Sequence, residues 1–305
     1  MKQISENNYI KALVLPCYVI LLIFGANSLL KAQVPENEIR LIVRGDDMGF
    51  CHAANVACIQ SYRDGIMRSV EVMVPCPWFN EAVEMLKNNP GLDVGIHLTV
   101  TSEWDNLKWG PVASKSEVPS LVDKEGFFYQ RDSQDADFPP NSGFREANPK
   151  PAELEKELRA QIERALSKIS NISHLSSHMG SPVSTPELRA IVEKLSLEYK
   201  LPLRVPGTKP AGRFVTSNPA SVVEIEKNLV EVLEKLEPGN IYMLIEHPGM
   251  DTPEMRAIGH IRSRHIAMQR DGVTKAFTSE DVKDVIRKKG IKLVSYGDML
   301  KNVNP

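Results

Sequence analysis

Apolar, β-branched runs recur along the chain, separated by segments whose apolar residues repeat at helical spacing. The runs are Ile39–Arg44 (IRLIVR), Ser69–Val74 (SVEVMV), Val94–Val100 (VGIHLTV), Ile172–His178 (ISHLSSH), Leu201–Val205 (LPLRV), Ile241–Glu246 (IYMLIE) and Ile291–Tyr296 (IKLVSY). The clearest helical segment is Pro151–Ile169, where Leu154, Leu158, Ile162, Ala165, Leu166 and Ile169 return at steps of three and four. Pro151 suits a first helical turn, and Glu153, Glu155 and Glu157 favour the N-terminal end of the helix dipole. Thr185-Pro186-Glu187 and Thr278-Ser279-Glu280-Asp281 read as further helix starts. Strands alternating with helices imply parallel pairing with crossover helices. The expected fold is α/β: an irregular (β/α) barrel of about seven strands, TIM-barrel-like, in one domain. An open doubly wound sheet is the alternative. Neither GxGxxG nor GxxxxGK[ST] follows the first strand, so the usual nucleotide loops are missing.

Two stretches depart from the alternation. Residues Ala12–Ala26 carry no charge and follow Lys2 and Lys11. Fifteen residues fall short of the roughly 20 that span a bilayer as a helix, and Pro16 interrupts them. Residues 1–32 are therefore expected to be a signal peptide, with Ala32 at the cleavage site before Gln33 and no stable membrane span after cleavage. An uncleaved anchor or a buried helix is the competing reading. On the first reading the protein is periplasmic or secreted, and residues 33–305 form the barrel domain. The second stretch, Thr101–Lys150, is too long for an ordinary connection. It holds Trp104, Trp109, Phe127, Phe128, Tyr129, Phe138 and Phe144, seven of the nineteen aromatic residues of the chain. Two readings stand level: a satellite hydrophobic cluster capping the barrel, or a lid whose rings stack on a sugar.

Composition narrows the class. The 305 residues are 42% hydrophobic and 25% charged, as in a globular protein. With 37 Lys+Arg against 39 Asp+Glu, the chain lacks the basic character of a nucleic-acid binder and suits a neutral substrate. Beyond residue 32 only Cys51, Cys58 and Cys76 remain, an odd number. On one helix Cys51 and Cys58 would stand about 10 Å apart, too far for a disulfide. All three read as small buried hydrophobes.

The candidate chemistry lies at strand ends. Asp46-Asp47 follows the first strand, His97 lies near the end of the third, His178 ends the fourth, and His247 follows the sixth. In barrels and parallel sheets active sites assemble at such ends. One carboxylate with two imidazoles suits a divalent metal ion with positions left for water and substrate, and Asp47, His97 and His178 form such a set. His174 and His178 lie about 13 Å apart along a regular strand, so His178 is the better ligand and His174 a support or packing residue. Adjacent Asp46 and Asp47 cannot point the same way along a regular strand, which suggests that one binds metal while the other takes a proton from water. His52, His260 and His265 fall in helix or loop.

At these residues the sequence resembles the YdjC-like family of carbohydrate deacetylases. The likeness is carried by IVRGDDMGFCHAAN, DVGIHLTV, HLSSH and EHPG, in order and spacing from Ile39 to about Tyr296. It implies an irregular (β/α) barrel and metal-dependent removal of an N-acetyl group from an acetylated amino sugar or short oligosaccharide. It also implies that Asp47, His97 and His178 are metal ligands for Zn or Mg, Asp46 the general base, and His247 the residue that assists the tetrahedral intermediate or protonates the leaving amine. The expected partner is a small carbohydrate substrate, with no nucleic acid. This chain departs from the family at three places. Ser176 stands where the family commonly has Asp, so the fourth strand offers no carboxylate to orient a ligand imidazole. Met179-Gly180-Ser181-Pro182 replaces a polar continuation, and Arg44 replaces a small polar residue. Two other classes compete: another metal-dependent carbohydrate-active hydrolase such as a glycosidase, and a sugar-binding protein with a relict metal site.

Overall fold

The structure, a computed structural model, describes residues 34–216 and 221–301. The proposed export signal at residues 1–32 lies outside the described residues. Among the described residues no helix is long and apolar enough to cross a membrane.

Strand β1 (Ile39–Met48) leads into α1 (His52–Arg63), β2 (Ser69–Val72), α2 (Phe79–Lys87) and β3 (Asp93–Leu98). After the long loop come α3 (Pro151–Leu166), β4 (Ile172–Ser177), α4 (Pro186–Tyr199) and β5 (Thr208–Pro210). The chain ends with α5 (Val222–Glu234), β6 (Asn240–Glu246), α6 (Pro253–Arg256), α7 (Ile266–Thr278), α8 (Glu280–Lys289), β7 (Ile291–Val294) and α9 (Tyr296–Lys301). All strand pairs are parallel, in the order β4-β3-β2-β1-β6-β5, with β7 paired to the first half of β1. Alternation along β1 divides the apolar residues between two faces. Leu41 and Val43 belong to the main core, whereas Ile42 packs with Val205, Ile241, Tyr296 and Met299 in a smaller cluster.

The α/β architecture is as expected, but the sheet does not close by strand pairing. The main path ends at β4 and β5, which do not pair with each other, and β7 pairs only with β1, so among the described residues the sheet is a half-barrel. The fifth strand also moves: it lies at Thr208–Pro210, not Leu201–Val205. The reason is local chemistry. Pro202 and Pro206 lack the N–H that a ladder needs, and the expected segment supplies only a single backbone bond to β4, from Leu175 N to Pro202 O (3.1 Å).

The helix signals read correctly. Thr185 caps α4 by accepting from Leu188 N, and Pro151 occupies the first turn of α3. The three cysteines are free and buried. Cys51 caps α1 by accepting from Ala54 N, and burial pushes its thiol up to about 12, so it is not a nucleophile at neutral pH.

The long loop is a packed structure. Trp104, Trp109, Phe128, Phe138 and Phe144 are buried, and Trp104 stacks on His260 with centroids 5.3 Å apart. Trp104, Trp109, Phe128 and Phe144 join the main core, so they form neither a separate satellite cluster nor a set of rings presented to solvent. The loop is tied down by two buried polar residues of α3. Glu157 accepts from Val112 N (3.0 Å) and Ala113 N (2.9 Å), while Gln161 exchanges bonds with both backbone groups of Thr99.

Candidate functional site

The end of β1 is irregular, and that irregularity builds the site. Pairing with β2 shifts register between Gly45 and Met48, and Asp47 takes φ +71°, the left-handed region that a non-glycine residue enters at a cost. Bulges of this kind re-aim side chains near active sites. Asp46 and Asp47, which a regular strand would turn to opposite faces, here approach the same atom. Asp46 Oδ2 lies 3.8 Å and Asp47 Oδ1 3.6 Å from His97 Nε2. Asn55, the asparagine of the first-strand segment, braces this turn: its Oδ1 accepts from Gly49 N at 2.7 Å.

His178 opens a short 3-10 turn directly after β4 and brings its Nδ1 to 3.3 Å from Asp47 Oδ1. One atom each from Asp47, His97 and His178 lies within 4.8 Å of the others, and all three residues are buried. His247, just beyond β6, places Nε2 4.0 Å from Asp47 Oδ2, with a side chain 41% exposed. It is the member of the group that faces outward. His174 stands apart from the trio: it is buried, bonded to Glu71 at 2.6 Å and stacked on Tyr296 with centroids 3.8 Å apart.

The charges around the trio are arranged in pairs. Arg270, from α7, donates to Asp47 Oδ2 at 2.7 Å. Burial would raise the Asp47 carboxyl, but the charge of Arg270 and the nearby histidines hold it well below the usual range. Burial and the neighbouring His178 charge pull His97 down to about 3, so its imidazole is neutral. His178 goes the other way. Burial opposes its charge, yet Glu103, which accepts from Nε2 at 2.9 Å, together with Asp47, raises it to about 10. For His247 burial is likewise outweighed, by Asp47 and Glu246, and the net shift is upward.

The donor set fits a divalent cation. Asp47 Oδ1 is buried and has no hydrogen-bond partner, an arrangement that is costly unless something else satisfies the oxygen. Its distances to His97 Nε2 and His178 Nδ1, 3.6 and 3.3 Å, match the spacing of tetrahedral ligand atoms with bonds of about 2.0–2.2 Å. Four residues at the site have no site role in the sequence reading. Glu103 lies in the long loop, Arg270 is more than two hundred residues from its partner, and Glu71 sits in a run read as apolar. Arg44, noted only as a departure, clamps both oxygens of Asp46 at 2.8 Å each.

A half-barrel of parallel strands with one carboxylate and two imidazoles converging at the strand ends defines an α/β scaffold with a candidate metal centre. The model of the YdjC-like protein family matches residues 40–288, and the chain belongs to that family. A carbohydrate deacetylase of Brevibacillus brevis is 28% identical over 275 residues, covering 86% of this chain and 100% of that protein. A carbohydrate deacetylase of Thermoanaerobacter pseudethanolicus is 28% identical over 269 residues, covering 84% and 97%. Among solved structures, a protein of Enterococcus faecalis V583 proposed to cleave cellobiose-phosphate shares the fold, with TM-score 0.68, 24% identity, and coverage of 86% and 99%.

Proposed function

We propose that the protein is a metal-dependent hydrolase that removes an N-acetyl group from an acetylated amino sugar or short oligosaccharide. The observation that carries this reading is the unsatisfied, buried Asp47 Oδ1 facing His97 and His178 in a chain whose relatives are named carbohydrate deacetylases. Asp47 Oδ1, His97 Nε2 and His178 Nδ1 would hold a divalent ion, Zn or Mg. When bound, the ion supplies Lewis acidity for the acetamide carbonyl and lowers the pKa of a water. Asp46 takes the proton of the attacking water, and Arg44 holds its carboxylate in place through both oxygens. His247 has the raised pKa and the exposure that suit donation of a proton to the leaving amine.

Asp46→Asn tests the assignment. Acetate release from an N-acetylated chito-oligosaccharide should fall by about two to four orders of magnitude while bound metal stays unchanged. Undiminished release by this variant would remove Asp46 as the base. The glycosidase reading needs two carboxylates placed on either side of a glycosidic bond. Asp46 and Asp47 instead crowd one imidazole nitrogen. The relict-site reading rests on Ser176 and the aromatic loop; a carboxylate from another strand lies beside that serine, and the loop's main rings are buried.

A further inference from the structure

We infer that Glu71 of β2 is the positioning residue for the His97 imidazole, acting through the Ser176 hydroxyl, and so replaces from a different strand the carboxylate that β4 lacks. The inference rests on the proposed ligand role of His97.

Strand register sets up the contact. Glu71 pairs with Gly95, and Gly95 with His174, across three adjacent strands; two residues further on, His97 pairs with Ser176. Residues two apart share a face of the sheet, so all four side chains meet on one side. Gly95 provides the space, because a Cβ there would collide with Glu71 Oε2 and His174 Nε2.

The hydrogen bonds run in one direction. Ser176 Oγ donates to Glu71 Oε2, which leaves the serine oxygen to accept from His97 Nδ1 at 2.7 Å. His97 is therefore protonated on Nδ1 and turns the lone pair of Nε2 toward Asp47 Oδ1. A ligand histidine is oriented in this way by a partner on its other nitrogen. Glu71 is fully buried, and its second oxygen is held by His174 Nε2 at 2.6 Å and lies 3.6 Å from Arg44 Nε. One oxygen is thus engaged in charge pairing and the other in orienting the serine. Arg44, Glu71 and Ser176 form one connected set.

The test is Zn²⁺ affinity of the metal-free full chain, by competition with a chromogenic chelator. Ser176→Ala keeps the contacts of Glu71 with His174 and Arg44 and removes only the bridge. It should weaken Zn²⁺ binding by about ten- to a hundredfold, and histidine ¹⁵N spectra should show His97 losing its single Nδ1–H tautomer. The double variant Glu71→Ser/Ser176→Asp returns the carboxylate to β4 and should recover affinity to within about threefold of wild type. Ser176→Asp alone sets two carboxylates against each other and should bind more weakly than the double variant. Wild-type affinity in Ser176→Ala, or a double variant no better than Ser176→Ala, would overturn the inference alone. A wild-type chain that takes up no Zn²⁺ would overturn the ligand reading and the inference with it.

Discussion

At the scale of single residues, the site is organised by burial acting against charge. His97 and His178 lie in the same buried pocket, yet one is pulled down to about 3 and the other raised to about 10. The difference is their partners. The charge of His178 pushes His97 further down than burial alone, whereas Glu103 and Asp47 hold the proton on His178. The metal-free protein therefore stores a proton on His178, since its folded value stands above the ordinary 6.5. A cation taking Nδ1 must displace that proton, and raising the pH removes the competitor. Between pH 6 and 8, Zn²⁺ affinity is expected to climb by about tenfold per unit, with about one proton released per ion. Calorimetry in two buffers of different ionisation enthalpy measures this directly. A pH-independent affinity with no proton release would mean that His178 is not charged in the free protein.

At the scale of elements, the site depends on irregularities more than on regular strands. The bulge at the end of β1 brings two adjacent aspartates to one point, and the 3-10 turn after β4 brings in His178. The strand ends carrying Asp46, Asp47, His97, His178 and His247 were legible because each follows an apolar run. The bulge was not, since it depends on a pairing partner that periodicity does not reveal. Glu71 left a trace that could have been read: a lone carboxylate inside SVEV, on a strand buried on both faces. Such a charge needs a partner, although the sequence could not say that the partners would be His174, Ser176 and Arg44. The apolar residues of Leu201–Val205 suggest a strand, but Pro202 within it and Pro206 just after it remove ladder donors, and the strand forms at Thr208–Pro210 instead. At β3 the requirement for glycine is steric. Gly95→Ala would ordinarily favour a strand by about 0.5–1 kcal/mol, but the collision with Glu71 and His174 reverses the sign. A net loss of about 1–3 kcal/mol is expected from denaturant unfolding. Stability equal to or above wild type would show that the Glu71–His174 pair can move aside.

At the scale of the whole molecule, the half-barrel, its packed loop and the α7 arginine act as one scaffold for a single rim. The loop contributes Glu103 to His178 and sets Trp109 edge-on to the same ring with centroids 6.4 Å apart, so its aromatic content serves the site from behind. For residues 1–32, which lie outside the described residues, we propose a role in export to the periplasm or beyond. N-terminal sequencing of protein recovered from that compartment should begin at Gln33. A retained Met1 would favour the anchor reading. The most direct test of the metal-centre reading is the metal stoichiometry of the purified chain, wild type against Asp47→Ala. One divalent ion per wild-type chain, lost in the variant, is the expected result. A wild type without bound metal, or an Asp47→Ala variant that keeps its full equivalent, would contradict it.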